Sequence, residues 1–246
     1  MCSRLEMRQR KDRGQDMYDI EYNRRSGRSY GIIPVRRPSV PAPEPRVTET
    51  EIPGRDGALI ETDGAYELIE IPIEFNFLRP PDQWMGVYHE AKKWLSGSGW
   101  LKLGDYQSDL YKVLYIRIAD TERASRRLGK FTAEFVCDPY AYIADGQKEK
   151  AISEVTYNPY ATSHPIYKIR GSGTATLTVN GKTMKATVSG EITIDTDRMI
   201  AYNASGAGQN TALSGDYEDL YLIEGDNTIT VTSGFTVTVI PNWREL

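Results

Sequence analysis

The stretch IEIPIEFNF, residues 69–77, alternates Ile69, Ile71, Ile73, Phe75 and Phe77 with Glu70, Pro72, Glu74 and Asn76. Successive side chains of an extended backbone point to opposite faces, so the pattern predicts a strand with one face buried and the other in water. Pro72 has no N–H to give to a ladder, which predicts that the strand lies at a sheet edge or pairs on one side only. Upstream, IPGRDGALI (52–60) reads as a compact turn between strands. It lacks the lysine and the following helix that a phosphate-cradling loop needs. Downstream, after Pro80 and Pro81, Asp82 stands where it would cap a helix near 82–96. In that helix Trp84, Val87, Tyr88, Ala91 and Leu95 share a face, and Gly97 ends the run. His89 falls among charged residues on the wet side.

Further strands are predicted over 100–103, 110–118 and 128–137. Between the last two, ADTERASRRLGK (119–130) concentrates Arg123, Arg126, Arg127 and Lys130, a candidate protein-contact patch; a solvated hairpin tip is the competing reading. In FVCDPYAY (135–142), Cys137 continues the face of Phe131, Ala133 and Phe135 and is expected to pack, not react. Asp138-Pro139 is expected to break the strand and form a joint, with GQKEK (146–150) as a linker.

Beyond residue 145 the chain turns to short alternating runs separated by Gly, Asn and Asp, the texture of a β-sandwich. Ala175, Leu177 and Val179 lead into Asn180-Gly181, a strong hairpin signal. Ile192 and Ile194, Ile229 and Val231, then Phe235, Val237 and Val239 repeat the alternation. Asp195-Thr196-Asp197 and Glu224-Gly225-Asp226-Asn227 read as hairpin turns. The predicted fold class is mainly β, with two β-sandwich domains: 17–145, carrying one packed α-helix, and 146–246. Residues 1–16 are an almost wholly polar extension ahead of Met17, where the native domain is expected to start; a basic arm touching a partner is the alternative.

Chemistry is sparsely represented. The 246 residues carry a net charge of -4, which gives no general attraction to nucleic acid or acidic lipid. No apolar run reaches the roughly 18 residues of a membrane span, and the start lacks the apolar middle of a signal peptide. Two cysteines and two histidines make neither a disulfide framework nor a zinc site, and a reducing compartment is expected. There is no Gly-x-Ser-x-Gly elbow to accompany His89 or His164. GSGTAT (171–176) lacks the third glycine of a dinucleotide fingerprint and leads into a strand. Asp195, Asp197, Asp216, Asp219 and Asp226 would suit calcium if their loops met, but turn preferences explain them more simply. No catalytic, metal or cofactor site is predicted, and an enzyme is not expected. The 16 tyrosines leave a protein interface and a saccharide surface both open.

Seven pieces occur in a telling order: MYDIEYN (17–23), IPGRDGALIET (52–62), WLSGSGWLKLGDYQSDLYKVLYI (94–116), FVCDPYAY, ITIDTDRMIAYN (192–203), LIEGDNTITVTSG (222–234) and PNWREL (241–246). With them the chain from Met17 resembles the distal tail protein (Dit) family of siphophages that infect Gram-positive bacteria. The resemblance implies an N-terminal domain that assembles into a homohexameric ring, and a C-terminal domain of galectin-like shape outside it. Such a ring is the baseplate hub at the distal end of a phage or prophage virion tail, made in the host cytoplasm. It joins the major tail (tube) protein to a tail-associated lysin or a tail fibre or receptor-binding protein of the host-adsorption device, with no nucleic-acid or membrane partner. Residues 1–16 precede the family's usual start, which suggests a misassigned start codon or vector-derived sequence. The second domain has no His-x-Asn-Pro-Arg-type run or matching Trp-x-x-Glu, so the galectin likeness concerns shape and not sugar chemistry. A carbohydrate-binding module for cell-wall saccharide is the alternative.

Overall fold

A computed structural model describes residues 18–54, 56–106, 108–123 and 125–246, and the extension expected over 1–16 lies outside the described residues. The chain divides into two compact units between Tyr140 and Ala141. Both are mainly β.

In the first unit, β1 (Ile20–Tyr22) and β2 (Arg25–Ser26) form a hairpin. Its two turn residues, Asn23 and Arg24, have φ of 51° and 63°, as a tight two-residue hairpin turn requires. β3 (Ile32–Pro34) follows, and β4 (Pro45–Glu51) with β5 (Ala58–Tyr66) forms a separate two-stranded sheet. Next come β6 (Ile69–Leu78), α1 (Trp84–Trp94), β7 (Gly99–Leu103), β8 (Asp109–Ile118), β9 (Glu122–Arg123) and β10 (Leu128–Ile143). The main sheet runs β2-β1-β7-β8-β10-β6-β3.

All five alternating residues of β6 are buried. They face a matching row on β10, with Phe75 opposite Phe131, Ala133 opposite Ile73 and Phe135 opposite Ile71. Full burial of each such side chain stabilises by roughly 1.5–3 kcal/mol. The helix closes over this face: Trp84 lies 4.9 Å from the Phe77 ring, Tyr88 6.0 Å from Phe131, and Trp94 meets Phe75 edge-on at 6.1 Å. Gly129, opposite Phe77, makes room for Trp84, because a Cβ there would fall inside both rings.

Asp82 does not cap the helix. A 3-10 turn (Pro81–Gln83) leads into α1, whose N-cap residue is Gln83 and makes no side-chain cap bond. The fixed φ of Pro81 suits the first position of a tight turn, and that turn, not the aspartate, starts the helix. The helix gives way at Leu95, two residues before Gly97.

Asp138-Pro139 does not break the strand either, for β10 continues to Ile143. The ladder to β6 ends at Cys137 opposite Ile69, so the missing N–H of Pro139 falls beyond it.

The second unit contains β11 (Lys150–Ala151), β12 (Val155–Asn158), β13 (Ile166–Val179), β14 (Lys182–Asp195), β15 (Ile200–Asn203) and β16 (Leu213–Ser214). It ends with β17 (Gly225–Val231), β18 (Thr236–Ile240) and β19 (Arg244–Glu245), the last pairing with Ala141 and Tyr142. The expected linker at 146–150 is part of this unit: Gly146 is buried against Trp243, its carbonyl accepts from the Asn242 N–H at 2.9 Å, and Lys150 pairs in β11.

β13 and β14 make one long hairpin through the predicted Asn180-Gly181 turn, whose φ values are 50° and 81°. The first part of β13 pairs with β18 and the last part with β17. Between them the hairpin bends at Gly171, Gly173 and Gly190, all at positive φ, with the Phe235 ring over Gly171. The bend carries both strands from one layer to the other, and the two layers close on a shared core that includes Tyr167, Leu177, Met184 and Ile194. This is a β-sandwich. Glu224 to Asn227 is not a hairpin turn, since Gly225 opens β17 opposite Asn158. Asn227 is fully buried there. Its amide donates to the carbonyls of Ile223 (2.8 Å) and Gly225 (3.0 Å), and its oxygen accepts from the Ile223 N–H and the Asn180 amide.

Candidate interaction surface

The basic segment singled out in the sequence folds into a short hairpin, with Arg123 in β9 opposite Gly129 and Lys130 opposite Glu122. Its tip is fixed locally: the Leu128 N–H donates to Ser125 Oγ, and the Ser125 N–H to the Leu128 carbonyl, each at 3.2 Å. Arg126 and Arg127 stand exposed at that tip. Lys130 differs from them. Half-buried on the outer face of the sheet, it lies 3.4 Å from Glu74 Oε1. The four candidates therefore separate into two exposed arginines, a lysine tied into the sheet, and Arg123 on the short strand.

Two residues that sequence reasoning missed join the tip. Arg79 donates its backbone N–H to the Arg127 carbonyl at 3.0 Å, and Leu78, paired opposite Leu128, is 60% exposed. Leu78 had a legible signal: it follows Phe77 directly, so the alternation sends it to the wet face. On the same outer face Arg117 reaches Glu134 at 2.7 Å and Glu70 at 3.0 Å, across three strands. Such exposed pairs contribute little stability.

β6 is an interior strand, not the edge strand or one-sided strand that Pro72 predicted, but its ladder to β3 is short. β3 pairs with Phe75 to Phe77, and the Val35 N–H reaches the Glu74 carbonyl at 2.8 Å. Residues 70 and 72 share that orientation but lie beyond the end of β3, so the missing N–H of Pro72 falls where no ladder needs it. The two-stranded sheet β4–β5 is exposed over most of its length, including Ile60 at 62% and Val47 at 47%.

In the second unit, His164 superficially resembles a catalytic imidazole. Its Nδ1 lies 3.4 Å from Asp197 Oδ1, its Nε2 lies 3.0 Å from Arg244 Nη2, and its ring stacks on Tyr221 at 4.0 Å. Arginine can only donate, so this network assigns Nε2 as the acceptor and Nδ1 as the N–H. The nitrogen a base would use is thus occupied. Buried Arg244, which also donates to the Thr162 carbonyl at 2.8 Å, clamps the C-terminal strand.

Of the five aspartates weighed for calcium, Asp195 accepts the Arg198 N–H, Asp197 faces His164 and Asp219 pairs with Lys182 at 2.7 Å. Among the described residues no group of three or more ligand-type side chains could hold a metal ion. None of their helices is long and apolar enough to cross a membrane. Cys137 is fully buried, and burial, with a smaller contribution from Asp138, pushes its thiol up to about 12. A surface cavity of about 620 Å³ is lined by Arg198, Ile200, Tyr202, Gly206, Asn210 and Thr211. Its loop is held by Asn203, whose side-chain oxygen accepts from the backbone N–H groups of Ser205 and Ala207, both at 3.0 Å.

No family model matches the chain, and no curated protein matches it. Among solved structures it is similar to the crystal structure of the SPP1 Dit protein, described as a paradigm of the hub adsorption apparatus in phages infecting Gram-positive bacteria. The TM-score is 0.62 at 15% identity, covering 94% of this chain and 99% of that one. The chain therefore has a Dit-like, mainly β fold.

Proposed function

We propose that this chain is a structural protein of a phage or prophage tail. It forms a homohexameric ring, the hub at the distal end of the tail, that joins the major tail protein of the tube to a tail-associated lysin, fibre or receptor-binding protein. Residues 17–145 make the ring and 146–246 a peripheral domain of galectin-like shape. The observation that supports this reading is the coverage of the fold likeness, which takes in nearly all of both chains and so both units in order. A hub acts by presenting surfaces; broad β faces and a strand side paired over only part of its length suit that task. The test is the mass of the purified chain by light scattering over a range of concentrations, with negative-stain images of the main peak. Six copies around a central channel are expected; a monomer at every concentration, also in the presence of the tube protein, would overturn the ring.

The cavity beside Tyr202 favours a second reading, a module that binds cell-wall saccharide. An aromatic ring, an amide, a hydroxyl and an arginine around a pinned loop are groups that sugars use. Titration of the chain with cell-wall oligosaccharides separates the readings: saturable binding lost in Tyr202→Ala supports the module, and no binding removes it.

A further inference from the structure

We propose that the acidic β4–β5 sheet of one subunit docks on the basic end of β6 and β10 in a second copy of the chain. This rests on the ring reading above and names the surfaces that would close it. Over residues 44–67 the sequence carries seven carboxylates, at 44, 49, 51, 56, 61, 63 and 67, against two arginines. Arg46 serves Glu67 at 3.2 Å and Asp63 at 3.9 Å. Glu49, Glu51 and Glu61 are exposed and have no ion pair among the described residues. Register places Glu49 opposite Ile60, Val47 opposite Thr62 and Glu51 opposite Ala58. One face of the sheet therefore has an apolar centre, Val47 and Ile60, with Glu49 and Glu51 beside it. A two-stranded sheet is marginal in water by itself, and large apolar residues grouped on its surface mark a place of contact.

The end of β6 and β10 has the opposite construction. Leu78, almost as exposed as Ile60, sits opposite Leu128 beside Arg79, Arg126 and Arg127. These three arginines have no carboxylate partner among the described residues. Apolar centre meets apolar centre, and acidic flank meets basic flank. Among the described residues no ion pair joins the two halves within one chain, and the complement is met by another copy. Because the two patches differ, the contact is head-to-tail, and a head-to-tail contact closes into a ring when its rotation allows.

The full chain is measured by light scattering at about 50 and about 500 mM NaCl, where screening differs severalfold. It is compared with Glu49→Lys/Glu51→Lys, with Arg126→Glu/Arg127→Glu, and with all four changes together. Each reversed pair is expected to raise the concentration for half-assembly by about tenfold or more at low salt, the effect of about 1.4 kcal/mol, and less at high salt. The fourfold variant, with both signs exchanged, is expected to return to within about threefold of the wild type, which misfolding cannot produce. If the wild type assembles and the pair variants assemble equally well, or the fourfold variant fails to recover, the pairing is overturned and the hub reading stands. A wild type that remains monomeric at both salts and at every concentration, also in the presence of the tube protein, overturns both.

Discussion

Cys137 sits in the core row of β10, fully buried, with its sulfur 3.6 Å from the Phe135 carbonyl. Its thiol is raised to about 12 because burial penalises the thiolate, so near neutral pH the nucleophilic form is scarce as well as inaccessible. In a Cys2→Ser background, which leaves Cys137 as the single thiol, a disulfide reagent at about pH 8 is therefore expected to label nothing in the native protein and one thiol per chain in denaturant. Stoichiometric labelling of the native protein within minutes would show that the core row opens. The packing of Cys137 was legible because its neighbours two, four and six residues back are apolar. The role of Asn227 was not. In sequence an Asn after Gly-Asp reads as a turn, and nothing local reveals that its amide satisfies a buried loop and reaches Asn180, 47 residues away.

At the scale of elements, β6 was readable because one buried face imposes a strict period of two, whereas Pro72 misled: β6 is an interior strand paired with β10 on one side and β3 on the other, and the proline is tolerated because it lies beyond the end of β3. Asp138-Pro139 misled because the effect of a proline depends on which neighbouring strand needs its N–H, and pairing partners lie far away in sequence. The same limit hid half of the candidate surface: a run of arginines signals an exposed turn, whereas Arg79 and Leu78 join it through pairing across about 50 residues. The bend of β13–β14 gives a direct test. Gly171, at φ 152°, lies under the Phe235 ring, so Gly171→Val adds backbone strain and a steric clash. A loss of about 2–4 kcal/mol is expected, partly recovered when Phe235→Ala is added. An unchanged denaturation midpoint for the single variant would show that the bend does not need the glycine. Across β13 and β18, Glu149 accepts from Lys168 at 2.5 Å and Thr238 at 2.6 Å, and the Lys168 bond, followed by that of Thr238, lowers its pKa. A lowered carboxylate contributes stability above its unfolded value near 4.5, and that contribution is lost as pH falls through the folded value. Glu149→Gln is expected to cost less than about 1 kcal/mol at neutral pH, since the pair is partly solvated, and the cost is expected to shrink as pH falls below the unfolded value. A difference from wild type that stays constant from neutral pH down to the acid unfolding of the protein would assign the effect to packing.

For the molecule as a whole, each unit has its own buried set. One comprises the aromatic and aliphatic rows of β6 and β10 under α1; the other is the cluster around Tyr167 and Leu177. The division falls inside one continuous strand, between Tyr140 and Ala141, and not in an open linker. Separate cores predict separate transitions, because a side chain removed from one core leaves the contacts of the other intact. Phe135→Ala and Leu177→Ala each delete a fully buried side chain, and each is expected to cost about 3–5 and about 2–5 kcal/mol respectively. Calorimetry of the two variants should show two transitions, with Phe135→Ala lowering one and Leu177→Ala the other. A single transition lowered by both would mean that the continuous strand couples the units into one cooperative body. Two transitions would mean that each core melts on its own despite the strand that joins them.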